Sequence, residues 1–300
     1  MRSVSSASFL ILLIFGCSGN PELIQNIQGL RINSLAFSLD SRHLAAQSAG
    51  AVKLLDPATG RENGSIKTGE AGIIALAADG ILYSANAQSI SSFQDGKPSR
   101  NFPFENILTL RVSPDAGMLI AQSSNRVSVF DARSGLEKKR IEDKSIRCAE
   151  FSPDGKTIGL CANGGIVLLE IGTWTAKNLD LEKRLLALSF SPDGSAFAAT
   201  DGRVMGLFRV DDGRQIWVDG VQDISQLFFS GDGLSISAVS RNEILWLDAQ
   251  SGKRKMRVSC DDISAVAFSN EGRYCACADE SGSLRIWNLY TAGKLRGKFK

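Results

Sequence analysis

The sequence predicts an all-β fold, a β-propeller of seven four-stranded blades, and two observations carry that expectation. First, an acidic turn residue recurs along the chain. It is Asp40 in FSLDS, Asp79 in AADG, Asp115 in VSPDAG, Asp154 and Asp193 in two identical FSPDG stretches, Asp232 in FSGDG and Glu271 in FSNEG. The intervals are 39, 36, 39, 39, 39 and 39 residues, a period that marks one supersecondary unit repeated beside the next. Second, every interval holds the same order of short apolar runs and turns, and four strands per ~40 residues make a propeller blade. The 29 glycines among 300 residues suit a fold of many turns.

Within one unit, the first strand carries apolar anchors, as in Ile32 to Phe37, Leu185 to Phe190 and Ile263 to Phe268. The turn follows: Pro presets φ, Asp supplies a side-chain acceptor and Gly tolerates positive φ, so the chain reverses. The second strand is small and apolar, as in His43 to Gln47, Ala196 to Thr200 and Tyr274 to Ala278. Small side chains suit a place where sheets crowd together. A Gly- or Asn-containing loop leads to a third strand ending in a bulky residue and a polar one: Leu55-Asp56, Phe130-Asp131, Leu169-Glu170, Phe208-Arg209, Trp287-Asn288. A second turn recurs after it, as in Asp56 to Gly60, Asp131 to Gly135 and Asp248 to Gly252. A more polar fourth strand closes the unit, for instance Lys253 to Val258.

The FSPDG-type turn and the aromatic-acidic ending of the third strand resemble WD40-like propellers, over roughly residues 22 to 300. The Gly-His pair that opens many repeats of that family is absent. The single His43 falls in a second strand, so the buried network such a His supports is expected to be missing. The SPDG style resembles bacterial propellers of the cell envelope. Blade 2, with AADG, is the weak copy; an irregular blade is one reading, and a degraded repeat that keeps its fold is the other. Two segments compete to close the ring as an outer strand, Leu23 to Gln28 and Lys294 to Lys300; the amino-terminal one is favoured.

The first residues read as an export signal. Arg2 precedes the apolar run Phe9 to Phe15, which is too short to span a bilayer, a task for ~20 helical residues. Ile14-Phe15-Gly16-Cys17 resembles a bacterial lipoprotein lipobox. The resemblance implies a signal peptide over 1–16, lipid attachment at Cys17, a tether over 17–21 and a propeller over 22–300. It places the protein on the cell envelope, with Ser18 after the cysteine leaning towards the outer membrane. A soluble secreted product and an uncleaved anchor are the competing readings.

Composition narrows the chemistry. The 34 lysines and arginines, Arg2 among them, face 32 acidic residues, a balance that argues against nucleic acid, which selects a concentrated basic excess. With one His and no C-x-x-C pair, no metal site is expected. Cys148 and Cys161 lie on two arms of one hairpin, which allows a disulfide; buried thiols filling small core positions are the preferred reading. No phosphate loop or catalytic triad is recognisable, so no catalytic residue and no cofactor are assigned. The expected function is a non-catalytic protein-interaction scaffold with a protein partner; the alternative is a propeller enzyme or small-ligand binder using the central channel. The loops between second and third strands, and those between blades, are expected on one face. They offer Arg126, Arg203 and Arg241 among Glu105, Asp143, Glu182, Asp223 and Asp262. An ordinary solvated surface accounts for such residues, and a polar protein-docking face is the functional reading. The basic strand Lys253, Arg254, Lys255 and Arg257 reads as edge protection, with attraction to an anionic surface as the rival.

Overall fold

The computed structural model describes residues 21–69 and 72–289, in which 28 strands form seven four-stranded antiparallel sheets. Blade 1 holds β2 (Ile32–Phe37), β3 (Leu44–Ser48), β4 (Ala51–Leu55) and β5 (Glu62–Lys67). Blade 2 holds β6 (Ile73–Leu76), β7 (Leu82–Ala85), β8 (Ser89–Gln94) and β9 (Lys97–Pro103). Blade 3 holds β10 (Thr109–Val112), β11 (Met118–Gln122), β12 (Arg126–Asp131) and β13 (Glu137–Glu142). Blade 4 holds β14 (Cys148–Phe151), β15 (Thr157–Ala162), β16 (Gly165–Glu170) and β17 (Ala176–Asp180). Blade 5 holds β18 (Ala187–Phe190), β19 (Ala196–Thr200), β20 (Met205–Arg209) and β21 (Gln215–Asp219). Blade 6 holds β22 (Gln226–Phe229), β23 (Ser235–Val239), β24 (Glu243–Asp248) and β25 (Arg254–Ser259).

Blade 7 joins β26 (Ile263–Phe268), β27 (Tyr274–Asp279) and β28 (Leu284–Asn288) to β1 (Glu22–Ile27). β1 runs antiparallel to β28, with Leu23 opposite Trp287 and Ile27 opposite Leu284. The ring is therefore closed by its amino-terminal strand, as favoured from the sequence. Cys17, the expected leader and Lys294 to Lys300 lie outside the described residues.

The first strand of each blade is innermost and the fourth outermost. The second strands are nearly wholly buried, β19 and β27 along their whole length, because Ala, Cys and Thr let adjacent sheets approach. Larger side chains fill the remaining gaps. Phe197, fully buried, stacks on Phe208 with ring centroids 5.5 Å apart. Burying such a side chain contributes roughly 2–3 kcal/mol. Outer strands alternate with solvent, as β13 and β25 do. Blade 2, the weak copy in sequence, is a degraded repeat that keeps its fold: its four strands pair like the others, and Asp79 still accepts a hydrogen bond from Ile81 N at 3.1 Å.

The FSPDG turn owes its geometry to a residue beyond Pro, Asp and Gly. In blade 4, Ser152 Oγ donates to Asp154 Oδ1 at 2.6 Å and accepts from Thr157 N at 2.9 Å, while Asp154 Oδ1 also accepts from Lys156 N at 3.0 Å. The same Ser-to-Asp bond recurs at Ser38, Ser113, Ser191 and Ser230. The Ser hydroxyl and a backbone N–H hold the carboxyls of Asp40, Asp115, Asp154 and Asp193 below the usual range. His43 is a further correction. It precedes β3, is exposed, and contributes backbone to this turn in blade 1.

The turn between third and fourth strands seats each blade on its predecessor. Its left-handed position is Gly60, Gly135, Gly213 or Gly252 in four blades. A Cβ on Gly252 would come within 2.8 Å of Trp217 in the preceding outer strand. Blade 4 places Trp174 there at φ 59, a position where a bulky residue is strained. Trp174 packs on the hydrophobic cluster shared by blades 3 and 4, and Lys139 lies 6.0 Å above its ring. In the turn of blade 6, Ser251 and Lys255 bring the Asp248 carboxyl down to about 2.

Cys148 and Cys161 face each other across β14 and β15 and are disulfide-bonded, which replaces the preferred free-thiol reading. The reason is register: the turn that pairs Ser152 with Thr157 also pairs these cysteines. Cys260, Cys275 and Cys277 are free and buried. The basic strand is largely neutralised in place, through Arg254–Asp219, Lys255–Asp248 and Arg257–Glu243 pairs at 3.4, 3.1 and 2.6 Å.

Candidate functional site

Antiparallel pairing sends the FSPDG-type turns to one face and the connecting loops to the other. Hydrogen bonds between loops of the two kinds demonstrate the second grouping. Asp223 N donates to Gly202 O, Asn106 N to Ala87 O, and Ile263 N to Arg241 O. All eight nominated residues are therefore on the connecting-loop face.

Several of them, however, have local structural duties. Glu182, Asp223 and Asp262 take φ of 53, 62 and 49, in crossovers where Gly29, Gly69 and Asn106 do the same. Small polar residues and Gly tolerate that conformation best. Asp143 Oδ1 accepts from Ser145 N at 2.7 Å. Arg241 pairs with Asp262 at 2.8 Å. Arg126 is half-buried, its guanidinium 4.2 Å from the Phe104 ring centroid, a contact worth about 0.5–1 kcal/mol. Glu105 and Arg203 are exposed, and among the described residues neither forms an ion pair.

One register position is marked by no motif in the sequence. Seven residues before each turn acid stand Asn33, Gly72, Leu108, Arg147, Leu186, Ser225 and Ser264, all exposed at the start of an inner strand. At five of them the backbone N–H donates to the carbonyl of the blade's second strand: Gly72 to Ala85, Leu108 to Gln122, Arg147 to Cys161, Leu186 to Thr200 and Ser225 to Val239. Asn33 and Ser264 sit instead at register shifts in β2 and β26. These seven residues ring the channel mouth on the connecting-loop face. A depression of about 470 Å³ opens beside Leu108, between blades 2 and 3. The signal for this ring was the constant offset from the acid, but exposure is a tertiary property.

Deeper in the ring, the seven inner strands carry two charged side chains, Arg111 and Glu150, and these pair at 2.9 Å. Among the described residues no group of three or more His, Cys, Asp or Glu could hold a metal ion. On the opposite face, a groove of about 760 Å³ lies beside the two FSPDG turns of blades 4 and 5. Its Asp154 and Asp193 are committed to their turns, and its Lys177 Nζ donates to Asp211 O.

Blade 7 contains a buried polar cluster without histidine. Arg285 pairs with Asp279 at 2.8 Å, the side chains 14% and 4% exposed, and its Nη1 donates to Cys260 Sγ at 3.1 Å. Ser281 Oγ and Ser283 N also donate to Asp279 Oδ1. Cys260 Sγ lies 2.9 Å from Cys277 Sγ; hydrogen bonding from Cys277 and the Arg285 charge lower the Cys260 pKa.

This blade is also where a family model matches. Residues 253–288, from the outer strand of blade 6 through the third strand of blade 7, match the WD domain, G-beta repeat. No curated protein matches the chain. The chain is a seven-bladed β-propeller that carries a WD40 repeat.

Proposed function

We propose that the protein is a non-catalytic interaction scaffold that docks a protein partner on its connecting-loop face and is held to the cell envelope through a lipid on Cys17. Propellers of this repeat commonly serve as protein-interaction scaffolds and are usually non-catalytic. One contrast carries the choice of face. The charges of the inner strands satisfy each other and the acids of the opposite groove serve their turns, whereas on the connecting-loop face Glu105, Arg147 and Arg203 are exposed and form no ion pair among the described residues. A rigid ring suits such presentation, since each blade buries its faces only against neighbours.

Two tests separate the parts of this reading. The Arg126/Arg203/Arg241 triple alanine variant, checked for an unchanged melt, loses the partner that the parent chain recovers from the envelope; retention of every partner overturns the face. Palmitate labelling and globomycin-sensitive processing disappear in Cys17→Ala; unchanged membrane association of that variant overturns the anchor.

A further inference from the structure

Around the channel mouth the ring position is small or polar on four blades, but on blades 3, 4 and 5 it reads Leu108, Arg147, Leu186. Leu108 is 60% exposed and Leu186 39%. Arg147 between them is exposed and, among the described residues, forms no ion pair. Apolar surface rimmed by polar groups marks interaction sites, and Arg is enriched among the residues that dominate binding energy. The depression beside Leu108 has an apolar lining that includes Ile73, Ala85 and Ile107.

We propose that these three side chains bind an extended segment of a partner protein in which an acidic side chain lies between two apolar ones at alternate positions. This rests on the reading of the connecting-loop face as the docking face. An extended chain puts every second side chain on one face, roughly 7 Å apart. Leu108, Arg147 and Leu186 each stand just before an inner strand, and the inner strands of blades 3 and 4, and of 4 and 5, include Cα pairs within 8 Å of one another, a separation on the scale of that spacing. The carboxylate meets Arg147, one apolar side chain enters the depression beside Leu108, and the other covers Leu186. The leucines exclude water around the ion pair, which strengthens it over a fully exposed one. The opposite arc of the mouth, with Ser225, Ser264 and Asn33, provides no such contrast.

The test titrates the purified full chain with two labelled peptides, Leu-Ser-Asp-Ser-Leu and Leu-Ser-Lys-Ser-Leu, by fluorescence anisotropy. The parent chain binds the Asp peptide roughly tenfold more tightly than the Lys peptide. Arg147→Glu reverses that order, and Arg147→Lys preserves it. Leu108→Ser weakens the Asp peptide without changing the order. Equal affinity for both peptides, or an unchanged order in a folded Arg147→Glu protein, overturns the proposal. If the peptides fail while the natural partner still crosslinks to Lys144 and Lys183 of the same face, the three-residue site is wrong and the docking face stands. Crosslinks confined to the opposite face overturn both.

Discussion

Replacing Ser152 with Ala removes one hydroxyl from one of five matching turns, and the structure sets the size of the effect. Ser152 is 7% exposed, donates to the Asp154 carboxylate at 2.6 Å and accepts from Thr157 N at 2.9 Å. A hydrogen bond to a charged group contributes about 1.5–3 kcal/mol, and a donor left without its acceptor costs a similar amount. The two losses overlap, and water reaches the carboxylate, so Ser152→Ala is expected to cost about 2 kcal/mol. In a chain of this size that lowers Tm by about 3 °C. Thermal and urea melts followed by circular dichroism measure it. The acid limb adds a second reading. Asp154 titrates below its ordinary range because of Ser152, so its folded pKa lies below the unfolded value of about 3.9. That contribution to stability is complete above the unfolded pKa and is lost as pH falls through the folded pKa. The gap between parent and variant therefore narrows in acid, leaving the part that comes from the bond accepted from Thr157 N. A Ser152→Ala protein within about 0.5 kcal/mol of the parent at neutral pH, or a gap that persists undiminished in acid, refutes the assigned role of the hydroxyl.

Three further outcomes follow from the same geometry. Blade 2 has Ala77 where the other turns have Ser, and Ala77→Ser is expected to stabilise the ring by about 1 kcal/mol in the same melts. Arg285→Ala leaves the buried Asp279 carboxylate without its cation and costs about 3–5 kcal/mol, whereas Arg241→Ala, whose pair is 73% and 51% exposed, changes stability by under about 1 kcal/mol. At Trp174 both truncations lose packing, but Trp174→Gly is the more stable, by about 1 kcal/mol over Trp174→Ala, because only Gly relieves the positive φ; equal stabilities contradict that.

The architecture was legible because its period was nearly unbroken: seven acids at 39- or 36-residue intervals place seven turns, and strands fill the space between. Even the weak copy in blade 2 kept its fold, since neighbouring sheets supply the packing that its turn lacks. Ser152 and its equivalents stand in six of the seven motifs, but a Pro-Asp-Gly sequence already explains a turn, so nothing in the sequence alone singles out the hydroxyl. The Cys148–Cys161 bond depends on the register that this same turn imposes, which propensity alone does not fix. The candidate site was harder. Glu182, Asp223 and Asp262 are charged and lie on the connecting-loop face, yet all three sit at positive φ, which for the two aspartates is reason enough for the residue type. Leu108, Arg147 and Leu186 carry no motif in the sequence, because exposure at the channel mouth arises only when seven blades meet.

Amine-reactive crosslinking of the protein to its partner in intact envelopes, read by mass spectrometry, is the most direct measurement of where docking occurs. Lys144 and Lys183 lie in the connecting loops, while Lys156 and Lys177 border the groove of the opposite face. Partner peptides linked to Lys144 and Lys183 are expected; partner peptides linked to Lys156 and Lys177, with none on the other pair, would contradict docking at the channel mouth.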